Sequence, residues 1–396
     1  MSDSGSSDPD DPFSGLPFFG DLGKLLGGSE GPLNWDAARQ FALGLASGGS
    51  EPNVDPIHRT KLADLSRIAE LRVNSATGLD LTVDGTSPIV VPVTRSEWAH
   101  RTLNDYRPLF ERLASGLSHT PDDTDREDPA AQLLGSIMKM IGPMTTAMSV
   151  GSMVGHLAAR GLGGYDLPIP RAVSRELVVV DSNLTAFVDE WSVPFDEVAL
   201  WLCIHELLHH GLFGVEHVRD RFETLLGSFA EGFQTSDGSA LETRLGELDG
   251  GADLAGLQSQ LQNLFADPEV LLGAMRTPAQ DAIIDELEAL LAVTVGWIDH
   301  QMDHIASGLI SSAGAISEAI RRRRITAGPQ DRFVERMLGL NLSRDVVERG
   351  RSFIGGVVER SDHQKLAQIW DDPRWIPTPN EIDAPGLWLA RIDLPE

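Results

Sequence analysis

S-V-P-F-D-E-V-A-L-W-L-C-I-H-E-L-L-H-H-G-L-F, residues 192–213, is the stretch whose reading decides the fold. The pattern predicts one helix over about residues 194–213. Inside it His205-Glu206-Leu207-Leu208-His209 matches H-E-x-x-H. On a helix, residues four apart stand one above the other on the same face, so both imidazoles can reach one metal ion. Neutral imidazole nitrogens suit zinc. Glu206 lies beside them without being a ligand, placed to act as general base towards a metal-bound water.

The five-residue pattern by itself also occurs on ordinary exposed helices, so its surroundings carry the argument. Residues 198–204, V-A-L-W-L-C-I, are apolar on every side, and Leu207 and Leu208 continue them. A helix that is hydrophobic all round is a buried helix. Buried ionisable groups need partners. Two histidines satisfied by carbonyls, with the glutamate in an ion pair, is the plainer alternative; a shared zinc ion satisfies both rings at once and is the expectation adopted.

Composition narrows the classes of partner. The chain has 396 residues, 59 acidic against 32 basic, for a net charge of −27. Such a surface repels phosphate backbones, which argues against nucleic acid and against an anionic membrane. Cys203 is the single cysteine, so no disulfide forms within the chain, in keeping with a reducing compartment. The opening M-S-D-S-G-S-S-D-P-D-D-P lacks the basic start and apolar centre of a secretory signal, and a cytoplasmic location is expected. Residues 140–157 are weakly polar, but they are rich in Gly, Ser, Thr and Met and short of large aliphatics. They predict a buried helix closely approached by a neighbour rather than a membrane span.

Residues 1–28 read as a disordered acidic tail, and residues 29–396 as a single, mostly helical domain with a small strand region. Helices are expected from Trp35, with Asn34 or Asp36 as cap, over residues 54–73, and over 94–117 with Pro108 as a kink or break. Residues 119–129 and 241–256 read as charged loops. Residues 89–93 and 177–180 are the β-prone pieces. The second precedes the motif helix, where its edge could accept an extended substrate or where it could simply pack beneath the helix. A long helix is expected over about residues 280–305, and 331–340 is helical. The basic run 321–324 reads as solvated or carboxylate-pairing. The Pro- and Trp-rich end from residue 371 reads as irregular cover for the core.

Several local patterns recur together: Gly31-Pro32-Leu33-Asn34-Trp35, Arg95-Ser96-Glu97-Trp98, Asn183 ahead of H-E-L-L-H, Phe213-Gly214-Val215, Gly296-Trp297, and R-R-R-R-I-T-A-G-P leading to F-V-E-R-M-L-G-L-N-L. With them the chain resembles the zincin-like metallohydrolases, a family of zinc-dependent metalloproteases related to proteins associated with coenzyme F420 biosynthesis. The resemblance implies a mainly α, zincin-like metallopeptidase fold (α+β with a small strand region), a bound zinc ion and a peptide or protein substrate. It departs at one position: relatives carry glutamate immediately before Gly-Trp, where this chain has Val295. A catalytic zinc usually has three protein ligands and an open position. Asp299, one turn from Val295, is the first candidate for the third; Glu231 is the second, with Glu216, His217, His300 and Asp303 behind them. A zincin-derived scaffold or binding protein that has lost catalysis is the alternative that the loss at Val295 supports.

Overall fold

The computed structural model describes residues 31–118, 129–232, 278–325 and 328–394. The expected acidic tail and most of both charged loops lie outside them. The chain enters with α1, Trp35–Ser47, which starts where Asn34 accepts the N–H of Ala37 at 3.0 Å. α2, Pro56–Thr77, starts on Asp55, whose carboxylate accepts the N–H of Ile57. Side-chain oxygens in these places satisfy N–H groups that have no partner in a first helical turn. Gly48 and Gly78 end the two helices in the left-handed conformation, with φ of 55° and 69°, which glycine adopts without strain.

Strand β1, Ile89–Val93, leads into α3, Arg95–Asp105, and α4, Arg107–Ser118. The expected single helix here is two. The break falls at Tyr106, which puts Pro108 in the first turn of α4, where its missing N–H removes no hydrogen bond. α5, Pro129–Arg160, is one long helix with Pro143 inside it. Its small residues act as expected: a Cβ added to Gly151 or Gly155 would lie 2.4 Å from the Ala38 carbonyl or 2.8 Å from that of Ala42, so α5 crosses α1 nearly backbone to backbone.

Strand β2, Glu176–Val180, pairs in parallel with β1, from Ile89 opposite Glu176 to Val93 opposite Val180. The C-terminal end of the other edge of β2 is also taken. Gly163 bridges Val179, and the Val180 N–H donates to the Leu162 carbonyl at 2.9 Å. The strand packs against the motif helix, one of the two roles open to it. α6, Asp181–Trp191, links β2 to α7, Phe195–Gly214, and α8, Glu216–Glu231, leaves α7 at 88°. α7 is buried at every residue from Val198 to Phe213, as its uniform hydrophobicity requires. Among the described residues no single helix is long and apolar enough to cross a membrane.

The described residues beyond α8 form further helices: α9, Pro278–Ala306; α10, Ala313–Ile325; α11, Pro329–Met337; α12, Arg344–Arg360; α13, His363–Gln368; α14, Pro379–Ile382; α15, Pro385–Ile392. The end of the chain is more regular than its composition suggests. Pro379 and Pro385 open α14 and α15 instead of excluding them. Thr378 and Glu381 cap each other reciprocally at the first, and Trp388 of the second is fully buried. Fold class stands as expected: mainly α with a two-stranded parallel sheet, arranged around α7.

Candidate active site on the motif helix

His205 and His209 lie one turn apart on α7, both buried, with ring centroids 4.4 Å apart. The His205 ring stacks on Trp201 at 5.2 Å and that of His209 on Tyr165 at 5.4 Å, so each imidazole is clamped by an aromatic face. Nδ1 of His209 donates to the His205 carbonyl at 2.9 Å, and Nδ1 of His205 lies 3.2 Å from Oε1 of Glu206. A ring whose Nδ1 carries the hydrogen presents its lone pair at Nε2. Both rings are therefore arranged as metal-binding histidines commonly are, with one nitrogen held by a carbonyl or a carboxylate.

Glu206 is fully buried. Its Oε2 accepts the N–H of Gly164 at 2.8 Å, and the N–H of Tyr165 lies 3.2 Å and 3.3 Å from its two oxygens. Burial pushes its pKa up to about 8, helped by the nearby Asp166 carboxylate; the N–H groups of Tyr165 and Gly164 and the Arg171 cation pull the other way. The loop that receives this carboxylate needs its glycines. A Cβ on Gly163 would lie 2.2 Å from Glu206 Oε1, and one on Gly164 would lie 3.0 Å from Oε2.

Other side chains hold that loop in place. Arg171 is buried and donates to the Gly164 carbonyl, to Asp105 and to Thr102, each at 2.8 Å, with its guanidinium beside the rings of Trp98 and Tyr106. Trp98 donates its indole N–H to the Gly163 carbonyl at 2.9 Å. Asn183 donates to the carbonyls of Ala158 and Gly161 and accepts from Arg95 Nε at 2.7 Å. The patterns around Arg95-Trp98 and Asn183 thus converge on the turn that binds Glu206. Sequence reading missed Arg171, Tyr165 and the role of Gly163-Gly164; the double glycine before Tyr165 is the signal that could have marked a close backbone approach.

Beside His205 is a cavity of about 130 Å³. Trp201 and Val295 line it with His205, so the valine that stands where relatives carry glutamate does face the candidate site. The further candidates from the sequence are elsewhere. Asp299 points to α12, with Oδ2 3.7 Å from Arg351 Nη2. Gly296 packs on α12: its added Cβ would lie 2.5 Å from the backbone of Gly350. Glu231 is more than half exposed at the end of α8, 3.5 Å from Arg112. His300 Nε2 lies 3.2 Å from His363 Nδ1 of α13. Among the described residues no three His, Cys, Asp or Glu side chains are grouped to hold a metal ion. The imidazole pair fits a zinc ion as two of its donors, on the strength of the Nδ1 contacts.

A buried helix presenting two such imidazoles and an intervening glutamate defines the zincin class of motif. The chain belongs to the zincin-like metallopeptidase family, whose model matches residues 33–389. No curated protein matches it. Among solved structures it is similar to a protein from Chloroflexus aurantiacus described as "a putative hydrolase with a novel fold". The two share 22% identity with a TM-score of 0.59, over 92% of this chain and 100% of that one. At that identity the likeness is one of fold.

Proposed function

We propose that the protein is a zinc-dependent hydrolase acting on peptides, with His205 and His209 holding the metal and Glu206 as the proton-accepting group. The observation that carries this is the pair of Nδ1 contacts, His209 to the His205 carbonyl and His205 to Glu206, which directs both Nε2 lone pairs outward from the helix backbone. A zinc ion bound there supplies Lewis acidity and a water of lowered pKa. Glu206 is held in one orientation by Gly164 and Tyr165, beside the His205 ring, where it can take up and return a proton. Trp201 and Tyr165 keep the rings from rotating. A cytoplasmic location belongs to the same reading, supported by the single buried cysteine.

A second reading, a zincin-derived binding protein without catalysis, draws on Val295. It puts an apolar side chain in the cavity where a third ligand would be expected, and among the described residues no group of three His, Cys, Asp or Glu side chains is placed to hold a metal ion. Elemental analysis separates the readings. After zinc-supplemented expression the wild type should carry about one zinc per chain, and His205→Ala should carry none. A metal-free wild type would sink the hydrolase reading. Glu206→Gln should retain the metal and lose turnover of a peptide library; full activity in that variant would remove Glu206 from the mechanism. With Asp299 turned to Arg351, Asp299→Asn should leave zinc affinity unchanged. A loss of about 10- to 100-fold would instead put Asp299 in or beside the coordination sphere.

A further inference from the structure

A second gathering of imidazoles is built on elements other than the motif helix. His300 and His304 stand one turn apart on α9, and His363, the first residue of α13, meets them there. Nε2 of His300 lies 3.2 Å from Nδ1 of His363, with ring centroids 5.2 Å apart and planes at 28°. The His304 ring is 6.2 Å from that of His363. His304 and His363 are exposed and His300 is half-buried. The cations nearby are turned to other groups. Arg351 lies 3.7 Å from Asp299, and Lys365 pairs with Asp393 while its N–H is accepted by Asp362 at the start of α13.

Two nitrogens bound to one ion at about 2.0–2.1 Å, at angles of about 90–109°, stand about 2.8–3.4 Å apart. The 3.2 Å between His300 and His363 falls in that interval. A single N–H···N hydrogen bond fits it too, but such a bond needs only two rings, and here a third is brought to the same place. Burial and the rings of His363 and His304 hold the pKa of His300 down, against the pull of Asp303, so its imidazole is uncharged at neutral pH and has a lone pair to give. A chain of net charge −27 draws cations towards it. Among the described residues no three such side chains are grouped to hold an ion as they stand. His304, exposed and on the same helix face as His300, completes the group by a change of rotamer.

We infer that His300, His304 and His363 form a second metal site, for a divalent transition ion of the kind imidazole prefers, nickel, copper or zinc, with water in the remaining positions. Such an ion ties α13 to α9, so the stability of this part of the chain depends on metal. Unlike the buried pair on α7, the site is open to solvent and its ion exchanges. The inference is independent of the hydrolase reading.

The test uses nickel(II) chloride and the untagged full chain carrying His205→Ala, which takes the motif pair out of competition. Calorimetry should find about one nickel per chain, and the melting temperature should rise with nickel concentration, as for any ligand of the folded state. The same titration into wild type holding its zinc repeats the measurement on an intact motif helix. Adding His300→Gln, His304→Gln or His363→Gln should weaken binding by about 10- to 100-fold and abolish the rise, with circular dichroism checking that each variant is folded. Copper(II) should bind more tightly than nickel, with nitrogen hyperfine structure in its electron paramagnetic resonance spectrum. No nickel binding, or an unchanged affinity in His363→Gln, overturns the inference. So does calcium binding as tightly as nickel, which would put carboxylates in place of imidazoles. Nickel bound by the wild type but not by a folded His205→Ala belongs to the motif helix and overturns it as well. If the wild type carries no zinc while His205→Ala still takes up nickel, the hydrolase reading falls and this inference stands.

Discussion

Glu206 shows how little room the site leaves at the scale of one residue. Its carboxylate is buried, accepts backbone N–H groups from the loop that follows α5, and touches the His205 ring. A buried carboxylate without such partners would cost several kcal/mol; with them it orients the imidazole beside it. The space it fills is set by Gly163, which is not in a left-handed conformation, so only the missing side chain matters there. Gly163→Ala should then cost about 1–3 kcal/mol through overpacking, read as a lower urea midpoint with unchanged slope. It should also weaken zinc binding, because Glu206 must move to admit the methyl group. Wild-type stability and metal content in that variant would refute the account of the loop as the carboxylate's receptor.

Among the elements, the same absence of side chains decides which helices touch. α9 and α12 cross at Gly296 and Gly350: a Cβ on Gly350 would lie 1.9 Å from the Ala292 carbonyl, inside any allowed contact. Backbone on both sides offers nothing flexible to give way. Gly350→Ala should therefore destabilise by about 3 kcal/mol or more. Gly44, in α1, has nothing within 4 Å of its added Cβ. Gly44→Ala should be neutral or stabilising by about 0.5–1 kcal/mol, as alanine is the better helix former. Thermal melts of the two variants give the contrast directly. Similar losses in both would show that helix propensity, not the crossing, governs these positions.

For the whole molecule, net charge is the property with the widest reach. A charge of −27 repels itself in the folded state more than in an expanded one. Raising sodium chloride from about 10 mM to about 150 mM shortens the Debye length from about 30 Å to about 8 Å. The melting temperature should rise over that interval, with metal chelated to isolate the effect. A fall would mean that the surface ion pairs, such as Lys61 with Asp196 and Arg349 with Asp383, outweigh the general repulsion. Such exposed pairs contribute about 0–1 kcal/mol each, so the rise is the expected result.

The sequence by itself determined the elements and the chemistry carried on one of them. Helical periodicity, a cap such as Asn34, and the β-branched run at Val178–Val180 are local signals acting over a few residues. They placed α1, α2, β1, β2 and α7 close to where they lie. The i, i+4 spacing of His205 and His209 on one helix required no knowledge of any other element. Tertiary structure decided what faces that helix. Periodicity says which residues share a face, but not which neighbour that face meets. Hence Gly296 and Asp299 turn to α12 while Val295 turns to the cavity, and Glu231 ends beside Arg112. Gly164, whose carbonyl is held by Arg171 seven residues on, meets Glu206, on α7, only through the fold. A buried polar network of that kind is closed by groups from several elements, each of which looks ordinary in its own stretch of sequence.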